Sequence, residues 1–420
     1  MNILLLNQTF HPDVAATAQQ ASDLAVAVAQ RGHDVTVVCG RRSYDNPTER
    51  HPRHEVWRGV SIRRISSLGL GKTTRWRRAA DFGSFVLNCL VHLSALGRFD
   101  LVIAMTSPPL ISWLGALFTK IRGGRFIFWV MDLNPDEALA AGWLRSRSTV
   151  TRILNAMLML GLRCAQTVVV MDRFMASRIE RKGINPRRIT VIPPWPLDHL
   201  VRYDCAGRDR FRKDHGVDGR FVVMYAGNHS PCHPLTTLLE AARCLRERFD
   251  IVFTFIGGGS EFQSVRRYAA SHRLQNIVTI PYQPLAALAA SLSAADLHVV
   301  VMGDRFVGIV HPSKVYNIRL LGIPYLYIGP SVSHVADLRP AFSARHGDVD
   351  MVARHIQAAA TGAGIEGRIH TGMTLAASRE QLMTRMVLTL EDAASRSPLV
   401  LHLPDQRSAR LDGQTIGRQP

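Results

Sequence analysis

Residues 1–38 read MNILLLNQTF HPDVAATAQQ ASDLAVAVAQ RGHDVTVV, and their pattern of apolar residues indicates the fold class. A short apolar run at 3–6 is followed by apolar side chains at helical spacing over 17–30. A glycine and a histidine end that helix, and a second apolar run follows at 34–38. The order strand, helix, strand is a βαβ unit, which sets its two strands parallel to each other. The stretch therefore predicts an α/β fold built on a doubly wound parallel sheet.

The same alternation continues up to a proline-rich stretch, where we place a domain boundary. Further strands of the first half are predicted at 99–104, 125–131, 167–171 and 190–192. Pro193, Pro194 and Pro196 then end any helix or strand, because three prolines in four residues remove backbone donors. We therefore predict an N-terminal Rossmann-like domain over residues 1–195.

A second alternation of strands and helices follows the prolines. Its strands are predicted at 221–226, 251–256, 277–280, 297–302 and 325–328. Two similar halves in tandem predict two Rossmann-like domains that face a cleft. We expect the second domain to span 196–375, a helix within 376–396 to return to the N-terminal domain, and residues 397–420 to form a flexible tail.

The chain is strongly basic, and the excess lies mainly in its first half. It holds 51 lysines and arginines against 33 acidic residues, a net charge of +18, and residues 1–195 account for 26 basic and 13 acidic side chains. A basic half is expected to face an anionic partner. No nucleic-acid-binding motif accompanies the charge, so the sequence favours a membrane surface or a phosphate over nucleic acid.

Cysteine spacing and hydropathy indicate a cytoplasmic protein. The six cysteines are scattered without a C-x-x-C pair, which is typical of reduced thiols and of neither a disulfide framework nor a metal site. The first residues read as a strand and not as a signal peptide. No apolar run reaches the roughly 18 residues that a membrane span requires. We expect any membrane contact to be peripheral, on the inner face of the cytoplasmic membrane.

A second decisive stretch reads His311-Pro312-Ser313-Lys314-Val315-Tyr316-Asn317 and is followed by Gly322-Ile323-Pro324. Ser313 fits an N-cap, Gly322 fits the position after a helix, and Pro324 prevents continuation. A lysine in a first helical turn opposes the helix dipole unless an anion binds there. The stretch predicts a phosphate site at Lys314, with a solvated surface lysine as the alternative.

These features together resemble GT-B glycosyltransferases, and specifically glycosyltransferase family 4 of bacterial polysaccharide, O-antigen and colanic-acid assembly. The resemblance covers nearly all of residues 2–390 and is closest to a subgroup with Pro-Ser-Lys in the donor loop. The motifs that carry it are His11-Pro12-Asp13, Arg31-Gly32-His33-Asp34, Asp132-Leu133-Asn134-Pro135-Asp136, Gly227-Asn228-His229, Gly257-Gly258-Gly259, and Pro312-Ser313-Lys314 with Gly322-Ile323-Pro324.

The resemblance implies a retaining transferase, of hexosyl or N-acetylhexosaminyl type, that uses a nucleotide-sugar, by default a UDP-sugar. The acceptor would be a lipid-linked or other saccharide, and neither a metal nor another cofactor would be needed. The chain departs from the family pattern at Ala15 and Ala16, where a Gly-Gly is common. Ile309 and Asn317 stand where the family carries two carboxylates, so the usual contacts to the sugar and the ribose are in question.

Carried over residue by residue, the resemblance gives Asp132 and Lys314 as catalytic residues and predicts no metal ligand. Asp132 directly follows a predicted strand, so it could contact the acceptor or the sugar, or it could simply cap the next helix. His229 and His233 could add protonatable contacts or be surface groups. The expected substrate-binding residues are His11, Asp13, Asn228, His229, His233, Gly257, Gly258, Gly259, Tyr282, Ser313 and Asn317.

A basic and aromatic stretch at 71–78 precedes apolar residues at helical spacing over 82–93. A cationic head beside an apolar helix face is typical of proteins that lie on anionic lipid. The alternative is that the apolar face belongs to the core and the arginines are solvated.

Two other classes of function stay open from sequence alone. A binding partner without activity in a polysaccharide complex would fit the missing carboxylates at Ile309 and Asn317, and a GT-B-fold sugar-nucleotide epimerase shares the architecture. A nicotinamide oxidoreductase is disfavoured, because neither half begins with a Gly-x-Gly-x-x-Gly turn after its first strand.

Overall fold

The computed structural model describes residues 1–13, 15–43, 48–69, 75–197, 200–363 and 378–396. Within these ranges the strands form two sheets, one in each half of the chain. The βαβ unit predicted from residues 1–38 is present: β1 (Asn2–Leu6) and β2 (Asp34–Gly40) pair in parallel, and α1 (Ala16–Gln30) connects them. The predicted α/β fold with two doubly wound parallel sheets is confirmed.

The first sheet has the strand order β3-β4-β2-β1-β5-β6-β7-β8. Its remaining strands are β3 (His54–Trp57), β4 (Val60–Ile65), β5 (Leu101–Ala104), β6 (Arg125–Val130), β7 (Thr167–Val170) and β8 (Ile189–Val191). The central strands β5 and β7 are buried at every position, as expected for a parallel sheet covered by helices on both faces. We call the part of the chain that builds β1–β8 the N-terminal half.

The hairpin β3–β4 was not predicted, and it makes the edge of the first sheet antiparallel. Arg58 and Gly59 form its two-residue turn with φ of 49° and 82°, the positive values that a type I′ turn requires. Both strands mix polar and apolar residues, because one face of an edge strand meets solvent. The apolar runs that revealed the inner strands are therefore missing here.

The second sheet is parallel throughout, with the order β11-β10-β9-β12-β13-β14. Its strands are β9 (Phe221–Asn228), β10 (Ile251–Gly258), β11 (Ile277–Ile280), β12 (Leu297–Val301), β13 (Tyr325–Ile328) and β14 (Phe342–Ala344). The short edge strand β14 was also not predicted. We call the part of the chain that builds β9–β14 the C-terminal half.

Helices cover both faces of each sheet. In the N-terminal half they are α2 (Arg75–Ser94), α3 (Ile111–Arg122), α4 (Asp136–Ala140), α5 (Thr149–Cys164) and α6 (Arg173–Arg181), with a short 3-10 helix at Pro186–Arg188. In the C-terminal half they are α7 (Cys205–Asp214), α8 (Thr236–Cys244), α9 (Phe262–Ser271), α10 (Leu288–Ser293), α11 (Lys314–Leu320), α12 (His334–Asp337) and α13 (Val349–Ala360), with 3-10 helices at Leu285–Ala287 and Asp304–Phe306.

The last described helix, α14 (Arg379–Ser395), packs against α1 and β6 of the N-terminal half. Its buried residues Met386 and Leu390 belong to the same apolar core as the first sheet. Glu391 also accepts hydrogen bonds from Arg31 at 3.0 and 3.2 Å. The chain therefore returns from the C-terminal half to the N-terminal half within its last described residues.

The two halves meet at the ends of their strands. Ile309 lies in the segment between β12 and α11, yet its side chain is 2% exposed and packs in the core of the N-terminal half. Its carbonyl oxygen accepts a hydrogen bond from the backbone N–H of Leu133, at 2.9 Å, just beyond the end of β6. The carboxyl ends of strands in both sheets therefore border one region, which is where α/β proteins bind ligands.

Candidate functional site

Lys314 is the centre of the candidate site. Its Nζ is buried, has no hydrogen-bond partner among the described residues, and lies 3.7 Å from the centroid of the Tyr225 ring. Burial lowers the pKa of Lys314 to about 7, because the ammonium is removed from water. The alternative of a solvated surface lysine is wrong. A buried ammonium without a hydrogen-bond partner in the described part of the chain is a place where an anion would be stabilised.

The helix that carries this lysine is built largely as predicted. Gly322 follows the end of α11 with a φ of 68°, so the glycine stop is confirmed. Ser313 occupies the position before α11, but its side chain makes no capping hydrogen bond, so the N-cap prediction is wrong in that respect. Its backbone is already helical, with φ −64° and ψ −18°, whereas a capping serine has extended backbone.

Gly227, at the end of β9, makes room for the lysine, and glycines at the end of β10 allow close packing beside it. Gly227 and Gly257 have φ of 127° and 132°, which favour glycine. A side-chain carbon on Gly227 would lie 3.0 Å from Lys314 Nζ, and one on Gly257 would collide with the backbone oxygen of Gly227. A side-chain carbon on Gly258 would lie 2.9 Å from the Tyr282 ring, so that ring covers the strand end. Gly259 lies against His229 and Asn228.

His229 and His233 lie beside the lysine and are neutral. His229 is fully buried, and its Nδ1 lies 3.0 Å from the carbonyl oxygen of Gly227. The Nδ1 of His233 lies 2.7 Å from the carbonyl oxygen of Val301. Burial, and then the charge of Lys314, lower the pKa of His229 to about 4 and that of His233 to about 3. The expectation that these are surface or protonatable groups is therefore wrong for neutral pH.

Asp132 follows β6 at the edge where the halves meet. Burial, and then the neighbouring Glu137 carboxylate, raise the pKa of Asp132 well above its ordinary value. The next helix, α4, begins at Asp136 and has Pro135 in the capping position. The alternative role of Asp132 as a helix cap is therefore excluded.

Glu137 is a site residue that the sequence analysis missed. It accepts a hydrogen bond from Asn134 Nδ2 at 3.1 Å and one from Cys232 Sγ, across the cleft, at 3.6 Å. Cys232 lies in the C-terminal half, so this contact bridges the halves. A second carboxylate five positions after Asp132, at the start of a short helix, was the available signal.

The other predicted binding residues lie in different surroundings. Asn228 is exposed at the end of β9. The Oδ1 of Asn317 accepts a hydrogen bond from the backbone N–H of Leu197 at 3.2 Å, so this amide holds the linker between the halves. The structure therefore gives Asn317 a role in fixing the linker.

His11 and Asp13 lie in the loop after β1. The His11 ring stacks on Trp57 with a centroid distance of 3.9 Å, and its carbonyl oxygen accepts a hydrogen bond from Arg64 at 2.9 Å. The backbone N–H of Asp13 bonds to the carbonyl oxygen of Phe10 at 2.9 Å. Strand β5 lies between β1 and β6 in the sheet. The loop that carries His11 and Asp13 is therefore separated from the loop that carries Asp132 by the width of one strand.

The apolar face of α2 divides between core and surface. Residues 71–74 of the basic stretch lie outside the described residues. Phe85 and Leu93 are buried in the N-terminal core, so this part of the alternative interpretation is correct. Leu87 and Val91 point outward and are 63% and 64% exposed. Among the described helices, none has the length and apolar character of a membrane span.

Comparison with known proteins agrees with this architecture. Residues 16–195 match the glycosyl transferase 4-like domain. The chain is 25% identical over 345 residues to WcaI of Escherichia coli K12, which is named as a colanic acid biosynthesis glycosyl transferase, and the match covers 77% of this chain and 82% of WcaI.

Solved structures share the fold at low sequence identity. HepE of Anabaena, in complex with UDP and glucose, is 14% identical, with a TM-score of 0.67 over 93% of this chain and all of that one. Sucrose-phosphate synthase from Thermosynechococcus elongatus is 14% identical, with a TM-score of 0.69 over 93% of this chain and 99% of that one. The chain is a glycosyltransferase with the GT-B fold, and the match to the glycosyl transferase 4-like domain lies within its N-terminal half.

Proposed function

We propose that this glycosyltransferase moves a sugar from a nucleotide-sugar to a lipid-linked saccharide in cell-surface polysaccharide assembly, with retention of anomeric configuration. The observation that carries the donor part is the Nζ of Lys314, which is buried without a hydrogen-bond partner among the described residues. A diphosphate oxygen would supply that partner and restore the charge on the ammonium. HepE, which shares the fold, has been solved with UDP-glucose.

The surroundings of Lys314 suit a diphosphate. Gly227 leaves room for the Lys314 ammonium, and Gly257 and Gly259 let the backbone at the ends of β9 and β10 pack closely beside it. Neutral His229 donates its Nδ1–H to the carbonyl oxygen of Gly227, so its buried Nε2, which has no hydrogen-bond partner in the described part of the chain, can accept a hydrogen bond from a ligand hydroxyl. As a diphosphate leaves the sugar it gains negative charge, and Lys314 would stabilise that charge. We propose no metal and no cofactor for the transfer itself.

We place the acceptor and the reacting sugar at the edge of the N-terminal half. Asp132 and Glu137 face the C-terminal half there, and Glu137 contacts Cys232 across the cleft. A carboxyl group with a raised pKa holds its proton more strongly than usual, so Asp132 can donate a hydrogen bond to a hydroxyl of either sugar. WcaI is named for colanic acid biosynthesis, which supports the polysaccharide context.

We propose that the enzyme acts in the cytoplasm as a peripheral protein on the inner membrane face. Residues 1–195 carry twice as many basic as acidic side chains, 26 against 13. Leu87, Leu90 and Val91 form an exposed apolar stripe on α2, at the spacing of one helix face. A basic domain with such a stripe can bind anionic lipid through charge and apolar contact together.

The test is release of nucleoside diphosphate from UDP-, GDP- and ADP-sugars, with and without bacterial lipid extract. We expect release that requires one donor and the lipid, that is lost in Lys314→Met and that persists in Lys213→Met, which changes an exposed lysine of α7 in the same way. The anomeric configuration of the product, read by NMR, tests retention. Conversion of a donor without acceptor would indicate an epimerase instead, and donor binding without turnover would contradict the transferase proposal.

A further inference from the structure

The segment that leads to Lys314 is held by the N-terminal half. Between β12 and α11 the chain contacts that half at three alternate positions. The hydrogen bonds join Arg178 to Val307, Leu133 to Ile309 and Asp172 to His311, at 3.1, 2.9 and 2.7 Å. We propose that Asp172 and His311 position Lys314 for the donor diphosphate, which rests on the proposed function of that lysine, and that donor binding therefore depends on contact between the two halves.

The carboxylate of Asp172 is oriented by its own half of the molecule. It precedes α6, and its Oδ1 accepts hydrogen bonds from the backbone N–H groups of Phe174 and Met175, both at 2.8 Å. This leaves Oδ2 for His311 Nδ1. Burial alone would raise the pKa of Asp172, but the hydrogen bond and charge of His311 outweigh it and lower this pKa to about 2. Asp172 is therefore a carboxylate at neutral pH, and His311 Nδ1–H donates to it.

His311 connects this carboxylate to the start of α11. Its Nε2 lies 2.9 Å from the hydroxyl of Tyr316, the third residue of the helix. Hydrogen bonds at both ring nitrogens fix the ring between the N-terminal half and the helix. Ser313 makes no capping hydrogen bond, so α11 lacks a side-chain cap of its own. The contacts of His311 therefore fix the position at which the helix begins with Lys314, as a local cap would otherwise do.

His334 covers the pair without bonding to it. Its ring stacks on His311, with centroids 3.8 Å apart and 16° between the planes. Its Nδ1 lies 3.5 Å from Asp172 Oδ2, and neither ring nitrogen has a hydrogen-bond partner among the described residues. Burial, and then the charge of His311, keep the pKa of His334 well below its ordinary value, so this ring is neutral. The stacked ring excludes water from the bond between Asp172 and His311, and a hydrogen bond is electrostatically stronger in such surroundings than in water.

Another contact between the halves serves as a control. Arg173 and Asp337 share two hydrogen bonds at 2.8 and 2.9 Å, but their side chains are 67% and 43% exposed. Arg173 directly follows Asp172, yet neither partner of this ion pair belongs to the segment 307–314. An exposed ion pair contributes little to stability. Its loss should therefore leave Lys314 in place.

The experiment is titration of the full chain with UDP, GDP and ADP in a calorimeter. Asp172→Ser removes the oxygen that reaches His311 but keeps a hydroxyl that can cap α6, and His311→Phe keeps a ring to stack on His334. We expect each to raise the dissociation constant of the nucleoside diphosphate that the parent binds at least about tenfold, with an unchanged number of sites per chain. His334→Phe and Arg173→Gln should stay within about twofold of the parent, because neither changes the bond between Asp172 and His311.

The double variant Asp172→Ser/His311→Phe distinguishes positioning from a merely structural role. Both substitutions break the same hydrogen bond, so the double variant should bind about as weakly as either single variant. The proposal would be overturned by losses that multiply, by fewer sites in place of weaker sites, or by an equal loss in His334→Phe. Binding like the parent's in Asp172→Ser and His311→Phe would also overturn it, while loss of binding in Lys314→Met would leave the proposed function standing. A parent that binds none of the three diphosphates would overturn both.

Discussion

The candidate donor site is a group of polar side chains that the folded chain leaves incompletely paired. Lys314 Nζ and His229 Nε2 are both buried without a hydrogen-bond partner in the described part of the chain. Burial of an unpaired ammonium opposes folding, because the charge is better solvated in the unfolded chain. Such groups are expected at a ligand site, where binding later supplies the missing partner.

Replacing Lys314 should therefore stabilise the ligand-free protein. We expect Lys314→Met to raise the free energy of unfolding at pH 7 by roughly 1 to 3 kcal/mol, while donor binding is lost. The folded-state pKa of about 7 lies below the ordinary value of 10.5, so the unfolded chain binds the extra proton between these values. Stability of the parent should rise with pH through this window, and the variant should lack that rise.

Urea unfolding at pH 7 and pH 9 measures this effect. Lys213→Met is the matched control, since it removes an exposed lysine. Its unfolding free energy should stay within about 0.5 kcal/mol of the parent. A Lys314→Met protein less stable than the parent at pH 7 would show that the ammonium has a partner in the folded chain.

Asp132 should make stability depend on pH in the opposite direction. Burial and Glu137 raise its folded-state pKa, so above pH 4 the unfolded chain loses this proton before the folded chain does. Its contribution to stability should therefore fall as pH rises until the folded carboxyl ionises. We expect Asp132→Asn to remove that fall, measured as the unfolding temperature at pH 4.5 and pH 8. The exposed Asp209→Asn should keep the parent's profile, and identical profiles for all three proteins would refute the expectation.

At the scale of elements, α14 shows how a distant segment completes a domain. Ser378 and Gln381 form a capping box, in which each side chain bonds to the other's backbone. One face of the helix then buries Leu382, Met386 and Leu390 against α1 and β6. The helix is specified locally by its cap and its periodicity, and its position is specified by the core that it covers.

Substitution of two leucines of α14, one buried and one exposed, tests whether the helix is held in place by its buried face. We expect Leu390→Ala, at 1% exposure, to lower the free energy of unfolding by about 2 to 5 kcal/mol, because it removes buried apolar contacts. Leu388→Ala, at 51% exposure, should change it by less than about 0.5 kcal/mol. Denaturant unfolding compares them directly, and equal losses would mean that α14 does not pack through this face.

At the scale of the whole molecule, the two halves are joined where their strands end, and the charge is uneven. Arg173 and Asp337 form a paired hydrogen bond across the junction at 2.8 and 2.9 Å, and Arg178 donates to the carbonyl oxygen of Val307 at 3.1 Å. The N-terminal half carries most of the basic excess. The proposed membrane contact therefore lies on the N-terminal half, and the cleft lies at the junction of the two halves.

Membrane binding can be tested on one exposed helix. Val91 of α2 and Val332 of the C-terminal half are both 64% exposed. We expect Val91→Ser to weaken binding to vesicles of anionic phospholipid and Val332→Ser to leave it unchanged, in a sedimentation assay. Binding should also weaken as salt rises, because part of it is electrostatic. The proposal would be contradicted if the parent protein does not bind the vesicles, or if Val91→Ser binds them as strongly as the parent does.

The elements that could be predicted from the sequence are those whose cause is local. The βαβ pattern of residues 1–38, the glycine stop at Gly322 and the apolar inner strands depend on side chains a few positions apart. The same local pattern predicted a phosphate site at Lys314, the family resemblance added a catalytic role, and the structure shows that the Nζ of this lysine is buried. The edge hairpin β3–β4 was missed because its half-exposed strands lack the apolar runs of the inner ones.

The protonation of the site and the contacts between the halves depend on how the whole chain packs. His229 and His233 are neutral because other segments bury them beside Lys314. Glu137 meets Cys232, and Asp172 meets His311 and His334, over separations of 95 residues and more. Desolvation and long-range contact depend on packing of the whole chain, so local spacing carries no trace of them.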